Sequence, residues 1–82
     1  MDNRFIIIGR SNCPFCTMAQ DLLEASGVEN VFLDYIDHPE ILDDYKSFHQ
    51  HETVPIVLSN NLVTGLVKKV GGYTDLLEYI SE

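Results

Sequence analysis

The sequence predicts one α/β domain spanning residues 1–82, a four-stranded mixed sheet flanked by three helices in the order βαβαββα. Three observations predict it. Short β-branched runs alternate with stretches of helical period. Pro14 and Pro39 stand where helices open, the position at which proline's missing N–H is no loss. The last two strands are joined by a short polar turn and so are antiparallel, whereas the opening strand–helix–strand demands a right-handed parallel crossover.

Residues 4–8, closed by Gly9, form a continuous apolar run of the kind buried on both faces in the middle of a sheet. A polar loop of Arg10, Ser11 and Asn12 leads to Cys13 and the helix starting at Pro14. There Phe15, Met18, Ala19, Leu22 and Leu23 keep helical spacing as the expected inner face, and Gly27 supplies the stop. Residues 31–36 make the second strand. Pro39 opens the second helix, with Glu40, Asp43 and Asp44 early in it, where the dipole favours acids. Ile41, Leu42, Tyr45, Phe48 and His49 line one of its faces. After a polar break at residues 50–53, the third strand covers residues 54–58, with Pro55 near its start as ladder rules require. Asn60 and Asn61 tolerate positive φ and predict the hairpin turn. The returning strand lies within residues 62–70, broken or bent at Gly65. Gly71 and Gly72 lead into a last helix on which Tyr73, Leu76, Leu77 and Ile80 keep helical spacing.

Composition narrows the function. A chain of 82 residues, 45% hydrophobic, suits one compact core. Its two cysteines cannot build the framework of a small secreted domain. A net charge of −8, from 13 acidic and 5 basic residues, repels phosphate backbones and anionic bilayers, so neither nucleic acid nor membrane is an expected partner. The acidity reads either as solubility or as steering toward a basic face of a partner. The N-terminal apolar run, preceded by Asp2 and Arg4, is too short for a signal-peptide core or a membrane span. The expected location is therefore the cytoplasm, a reducing compartment in which a close cysteine pair is catalytic or metal-binding more often than structural.

The strongest chemical signal is Cys13–Pro14–Phe15–Cys16 at a helix start. Unpaired N–H groups and the helix dipole favour negative charge there, which lowers a thiol's pKa and makes a nucleophilic thiolate. The second sulfur lies a turn along, within reach to close a disulfide. Cys13 is thus the expected nucleophile and Cys16 the resolving thiol. The competing possibilities are inert buried thiols and half of a zinc site. Zinc needs four ligands and no second such pair exists. His49 and His51 could complete one on paper, but His49 sits on an apolar face and reads better as a core or boundary residue, so no metal site is expected.

Other positions keep alternatives open. Arg10 either stabilises the thiolate, holds a substrate carboxylate or is a solvated loop charge. Pro55 is either a trans edge proline or a cis one that leaves neighbouring backbone groups to pair with a substrate chain. The stretch Gly71–Gly72–Tyr73–Thr74–Asp75 is either a carboxylate site at a helix N-terminus or a helix capped by Thr74 or Asp75.

Cys13–Pro14–Phe15–Cys16, Thr53–Val54–Pro55 and Gly71–Gly72–Tyr73–Thr74–Asp75, in this order, resemble the glutaredoxin family over essentially the whole chain. Gly9–Arg10–Ser11 and Glu52–Thr53–Val54–Pro55 are similar to bacterial dithiol glutaredoxins in particular. The resemblance implies a thioredoxin-like fold and a glutathione-dependent thiol–disulfide oxidoreductase. Its substrates would be protein disulfides or glutathione-mixed disulfides, with ribonucleotide reductase among the partners the family implies. Glutathione would be the electron donor, no cofactor would be permanently bound, and the protein would be a monomer. In that reading Cys13 attacks and Cys16 or glutathione resolves. Pro55 is cis, and Val54, beside Thr53, pairs through its backbone with the cysteinyl unit of glutathione. Gly72, Thr74 and Asp75 hold the γ-glutamyl end, Arg10 takes the glycyl carboxylate, and Phe15 completes the binding surface. Two further roles known for glutaredoxin-like proteins remain as alternatives. One is an electron donor reduced by thioredoxin reductase. The other is a module bridging an iron–sulfur cluster, against which Pro14 counts, because cluster binders often carry a small residue there.

Four positions depart from the family pattern. Phe15 replaces the usual tyrosine, Leu42 stands where a glutamine often meets the glycyl carboxylate, and Ile56 follows the proline where a polar or basic residue is common. The stretch from Pro55 to Gly71 is several residues longer, an extended hairpin carrying Lys68 and Lys69. His51 and these lysines are the alternative holders of the glycyl end.

Overall fold

The computed structural model describes residues 3–81, so Asp2 lies outside the described residues. Its elements are β1 (Asn3–Gly9), α1 (Pro14–Ala25), β2 (Asn30–Asp34), α2 (Pro39–Phe48), β3 (Ile56–Asn61), β4 (Val67–Gly71) and α3 (Tyr73–Ser81). The sheet has the order β2-β1-β3-β4. β1 runs parallel to β2 and antiparallel to β3, and β3 pairs antiparallel with β4. This is the mixed βαβαββα thioredoxin-like arrangement that the motifs imply.

Period two along β1 feeds both sides of the sheet. Phe5 and Ile7 enter one core with Ala19, Leu23, Val57 and Leu76, beneath α1 and α3. Ile8 enters the other with Leu42, Ile56 and Leu58, beneath α2, and Ile6 packs against it. Each side chain buried outright, as Ile7, Leu23, Ile56 and Leu76 are, contributes about 1.5–3 kcal/mol.

The inner face of α1 is rotated from the one the spacing predicts. Its buried stripe is Cys16, Ala19 and Leu23, while Phe15 is 55% and Met18 41% exposed. Hydrophobicity alone points the stripe at Phe15, but burial of the Cys16 thiol turns that ring outward. On α2 only Leu42 is buried and Phe48 is 81% exposed. Phe48 lies six residues beyond Leu42, about 120° round the helix, so it cannot share its face. His49 lies beyond the helix as its C-terminal cap, stacked on Tyr45 with ring centroids 6.2 Å apart.

Strand limits also shift. β2 ends at Asp34, before Tyr35 and Ile36, because the Asp34 carboxylate accepts the Ser11 and Ile36 N–H groups at 2.9 and 3.1 Å. β3 starts at Ile56, leaving Thr53, Val54 and Pro55 outside the ladder. Asn60 and Asn61 stay in β3, and the turn falls just after them. Asn61 acts through its side chain, which accepts the Val63 and Thr64 N–H groups at 2.9 and 3.0 Å. The positive φ of 78° belongs to Gly65, which sits in the turn rather than bending β4. No described helix is long and apolar enough to cross a membrane.

Candidate active site

One end of the sheet collects the sequence motifs. Cys13 is the N-cap of α1, with Pro14 at the first helical position. Its carbonyl accepts the Cys16 and Thr17 N–H groups at 3.1 and 3.2 Å, and its own N–H bonds to the Arg10 carbonyl at 3.1 Å. The loop before it is pinned to β2 through Ser11 and Asp34. Desolvation works to raise the Asp34 carboxyl, but hydrogen bonds from the Ser11 side chain, the Ser11 N–H and the Ile36 N–H outweigh it and hold it below the usual carboxylate range.

Cys13 lines a groove of about 640 Å³ together with Arg10, Phe15, Thr53, Val54, Pro55, Gly72, Thr74 and Asp75. Every sequence-nominated site residue except Cys16 is therefore on one surface. Cys16 stands behind it with no exposure, whereas Cys13 retains 7%. Both are free thiols. The Cys13 Sγ points at the Val54 carbonyl oxygen, 3.9 Å away, so the first helix turn and the segment before β3 converge on one sulfur. Burial pushes the Cys16 thiol up to about 12. A hydrogen bond with Cys13 and repulsion from it act the same way, against a backbone hydrogen bond from Arg10 and the Arg10 charge. At neutral pH Cys16 is thus a protonated thiol.

The Val54–Pro55 peptide bond is cis, which selects one of the two alternatives left open. At the start of α3 the capping alternative is realised. Asp75 Oδ2 accepts the Gly72 N–H at 2.9 Å, the reach of a third-position acid back to the N-cap. Gly71 has φ 127°, and a Cβ there would fall on the Asp75 carboxylate. Capping does not remove Asp75 from the groove, since it is exposed and lines the wall. Arg10 also lines the groove, its guanidinium 3.3 Å from the Asn12 side-chain oxygen.

The groove has further walls, of which Lys46 alone lies outside the motifs and alternatives read from the sequence. Phe15 and Tyr73 face each other across 5.9 Å between ring centroids, so the residue read as a helix-packing tyrosine also flanks Cys13. Lys46, His51 and Glu52 line the opposite side. Leu42, expected at the glycyl end, is buried in the core under α2. Lys46, one turn further along, reaches the groove instead, and the i, i+4 spacing from Leu42 is the signal that could have found it. His51 was an alternative holder. Its ring faces Gly72, and its Nε2 is buried without a hydrogen-bond partner. Lys69 is spent elsewhere, donating to the His49 carbonyl at 3.0 Å. Burial lowers the His49 pKa, with Lys69 and His51 adding to it. Among the described residues, no three His, Cys, Asp or Glu side chains gather as metal ligands.

Comparison with known proteins bears on the family and the fold. The family model described as Glutaredoxin matches residues 5–63. Among solved structures, a wheat glutaredoxin crystal structure superposes with a TM-score of 0.77 at 24% identity, over 94% of this chain and 68% of that one. A buckwheat glutaredoxin–glutathione complex gives 0.75 at 20% identity, over 96% and 69%. The solution structure of a Brucella melitensis glutaredoxin gives 0.69 at 27% identity, over 95% and 78%. No curated protein sequence matches significantly.

Proposed function

The chain belongs to the glutaredoxin family, a family of thiol–disulfide oxidoreductases, and from that premise we propose that it reduces protein disulfides and glutathione-mixed disulfides with glutathione as the electron donor. The observation that carries the reading is the division of labour between the thiols. Cys13 lines the groove at the start of α1 while Cys16 waits behind it, buried and protonated.

In the proposed cycle the Cys13 thiolate, favoured by the N-terminal N–H groups and dipole of α1, attacks one sulfur of the substrate disulfide. The S–S bond breaks, a Cys13 mixed disulfide forms, and the other half leaves as a thiolate. Cys16 loses its proton and attacks the Cys13 sulfur, releasing the second thiolate and closing a Cys13–Cys16 disulfide. Loss of the hydrogen bond and charge on Cys13 in the mixed disulfide removes two of the influences that hold Cys16 protonated. One glutathione thiolate reopens that bond and a second removes the first as glutathione disulfide. With a glutathione-mixed substrate, Cys13 and a second glutathione suffice.

The groove suits glutathione by charge. Arg10 and Lys46, two of the five basic residues in an acidic chain, fit its glycyl carboxylate. Asp75 and the first N–H groups of α3, near Gly72 and Thr74, fit the ammonium and carboxylate of its γ-glutamyl end. The backbone of Thr53 and Val54 lies outside the ladder beside Cys13 and suits the cysteinyl unit. The buckwheat structure that shares the fold is a glutaredoxin–glutathione complex, which supports the same reading. A cytoplasmic monomer acting on reductase-type protein disulfides, ribonucleotide reductase included, is the physiological setting we propose.

The test couples turnover to glutathione, glutathione reductase and NADPH. Cys13→Ser is expected to abolish activity on both substrate classes. Cys16→Ser is expected to keep activity on a glutathione-mixed disulfide and to lose most activity on a protein disulfide. Equal residual activity in the two variants, or turnover with thioredoxin reductase and none with glutathione, would overturn the proposal.

A further inference from the structure

The buried thiol has a neighbour to which no motif assigns a role. Gly9 ends β1, and the space beside its α-carbon is filled by sulfur. A Cβ placed on Gly9 would stand 2.5 Å from the Cys16 Sγ, 3.2 Å from its Cβ and 3.9 Å from the Pro55 Cα. The first distance is far inside the roughly 3.5–4.0 Å at which non-bonded carbon atoms rest.

The surrounding backbone is tied on every side. Gly9 pairs with Asp34 in the β1–β2 ladder, and its carbonyl accepts the Tyr35 N–H at 2.9 Å. Asp34 in turn anchors the next loop through Ser11. Cys16 is held in the first turn of α1 by its N–H bond to the Cys13 carbonyl. The group left to move is the Cys16 sulfur itself, which lies close enough to Cys13 for that thiol to act on its charge.

We propose that Gly9 is the positioning residue for the resolving thiol: the absence of a side chain there keeps the Cys16 sulfur beside Cys13 and thereby sets how turnover divides between the two-cysteine and one-cysteine routes. The proposal rests on the thiol–disulfide reading of Cys13 and Cys16 and is independent of which thiol regenerates them. With Gly9→Ala the substrate disulfide still opens on Cys13, forming the mixed disulfide and releasing the first thiolate. The step impaired is the next one, in which the Cys16 thiolate attacks the Cys13 sulfur and expels the second thiolate.

The experiment equilibrates wild type and Gly9→Ala in mixtures of oxidised and reduced glutathione, whose potential brackets that of such dithiols, traps the thiols by alkylation and weighs the products. Gly9→Ala is expected to shift the equilibrium from the Cys13–Cys16 disulfide toward the dithiol by at least about tenfold. Its rate of forming a Cys13 mixed disulfide with glutathione disulfide should stay at the wild-type value. A thermal-stability cycle guards against simple misfolding. If the added methyl meets the sulfur, Gly9→Ala in a Cys16→Ala background should lower the melting temperature much less than it does in wild type. An unchanged dithiol equilibrium, or additive stability losses including failure of the double variant to fold, would refute the positioning role. A wild-type chain that forms no Cys13–Cys16 disulfide in these mixtures would remove the underlying reading and this role with it.

Discussion

The two ends of the β3–β4 pair are built on opposite terms. At the groove end, Gly71 lies against the Asp75 carboxylate and Gly72 against the His51 ring, and Pro55, Ile56 and Val57 are buried. At the far end the turn carries Gly65 with nothing within 4 Å of where a Cβ would go, and Leu62, Val63, Leu66 and Val67 are 47–76% exposed. Both ends contain a glycine at positive φ, 127° for Gly71 and 78° for Gly65. Only one of them is also crowded. The contrast teaches that a glycine's backbone angle and its neighbours are separate constraints, and that the functional end imposes both.

Three measurements bear on that contrast. Gly71→Ala should have the largest effect, because the new methyl meets the Asp75 carboxylate in addition to the backbone strain. We expect a loss of roughly 3 kcal/mol in denaturant unfolding and a raised KM for glutathione as Asp75 and the cap at Gly72 are displaced. Wild-type stability together with a wild-type KM would contradict the close contact.

The next effect is read against pH on the reduced protein. Burial raises the Cys16 thiol from an ordinary value of 9.0 to about 12, so between these values the folded chain keeps a proton that the unfolded chain releases. Its contribution is fully present below pH 9 and is lost as pH rises toward the folded value. Stability should fall by on the order of 1–2 kcal/mol between pH 9 and about 10.5, and Cys16→Ala should flatten that slope. A slope unchanged by the substitution would place the alkaline sensitivity elsewhere.

The smallest effect belongs to the turn. Gly65→Ala keeps its space and meets only the unfavourable φ, so about 1 kcal/mol of stability should be lost. Turnover in the glutathione-coupled assay should be unchanged. A drop in activity would show that the far end communicates with the groove, against the contrast drawn above.

Much of the fold is legible because it follows from local rules. Pro14, Pro39, the apolar run through Ile8 and the helical spacing of Ala19 and Leu23 place β1, α1 and α2 without any knowledge of contacts. The departures occur where two periodic patterns compete or where a side chain acts at a distance. Hydrophobicity counts Phe15 and Phe48 as inner residues, whereas the packed molecule leaves both outside. Asn60 and Asn61 read as turn residues by their backbone tolerance, whereas the Asn61 carboxamide organises the turn from within β3.

The candidate site divides in the same way. The spacing of Cys13 and Cys16 at a proline-started helix nominates an attacking and a resolving thiol, since a helix start carries its own electrostatics. The sequence also nominated Thr53, Val54, Pro55 and Asp75 as one constellation, through motifs in order. Only tertiary structure could bring Lys46 and Tyr73 to the same groove, set Gly9 against the Cys16 sulfur and bury Leu42 away from it. Those relations join residues far apart in the chain or turn on sub-ångström clearances. Local periodicity determines which face a residue occupies; what that face meets is decided when the layers pack.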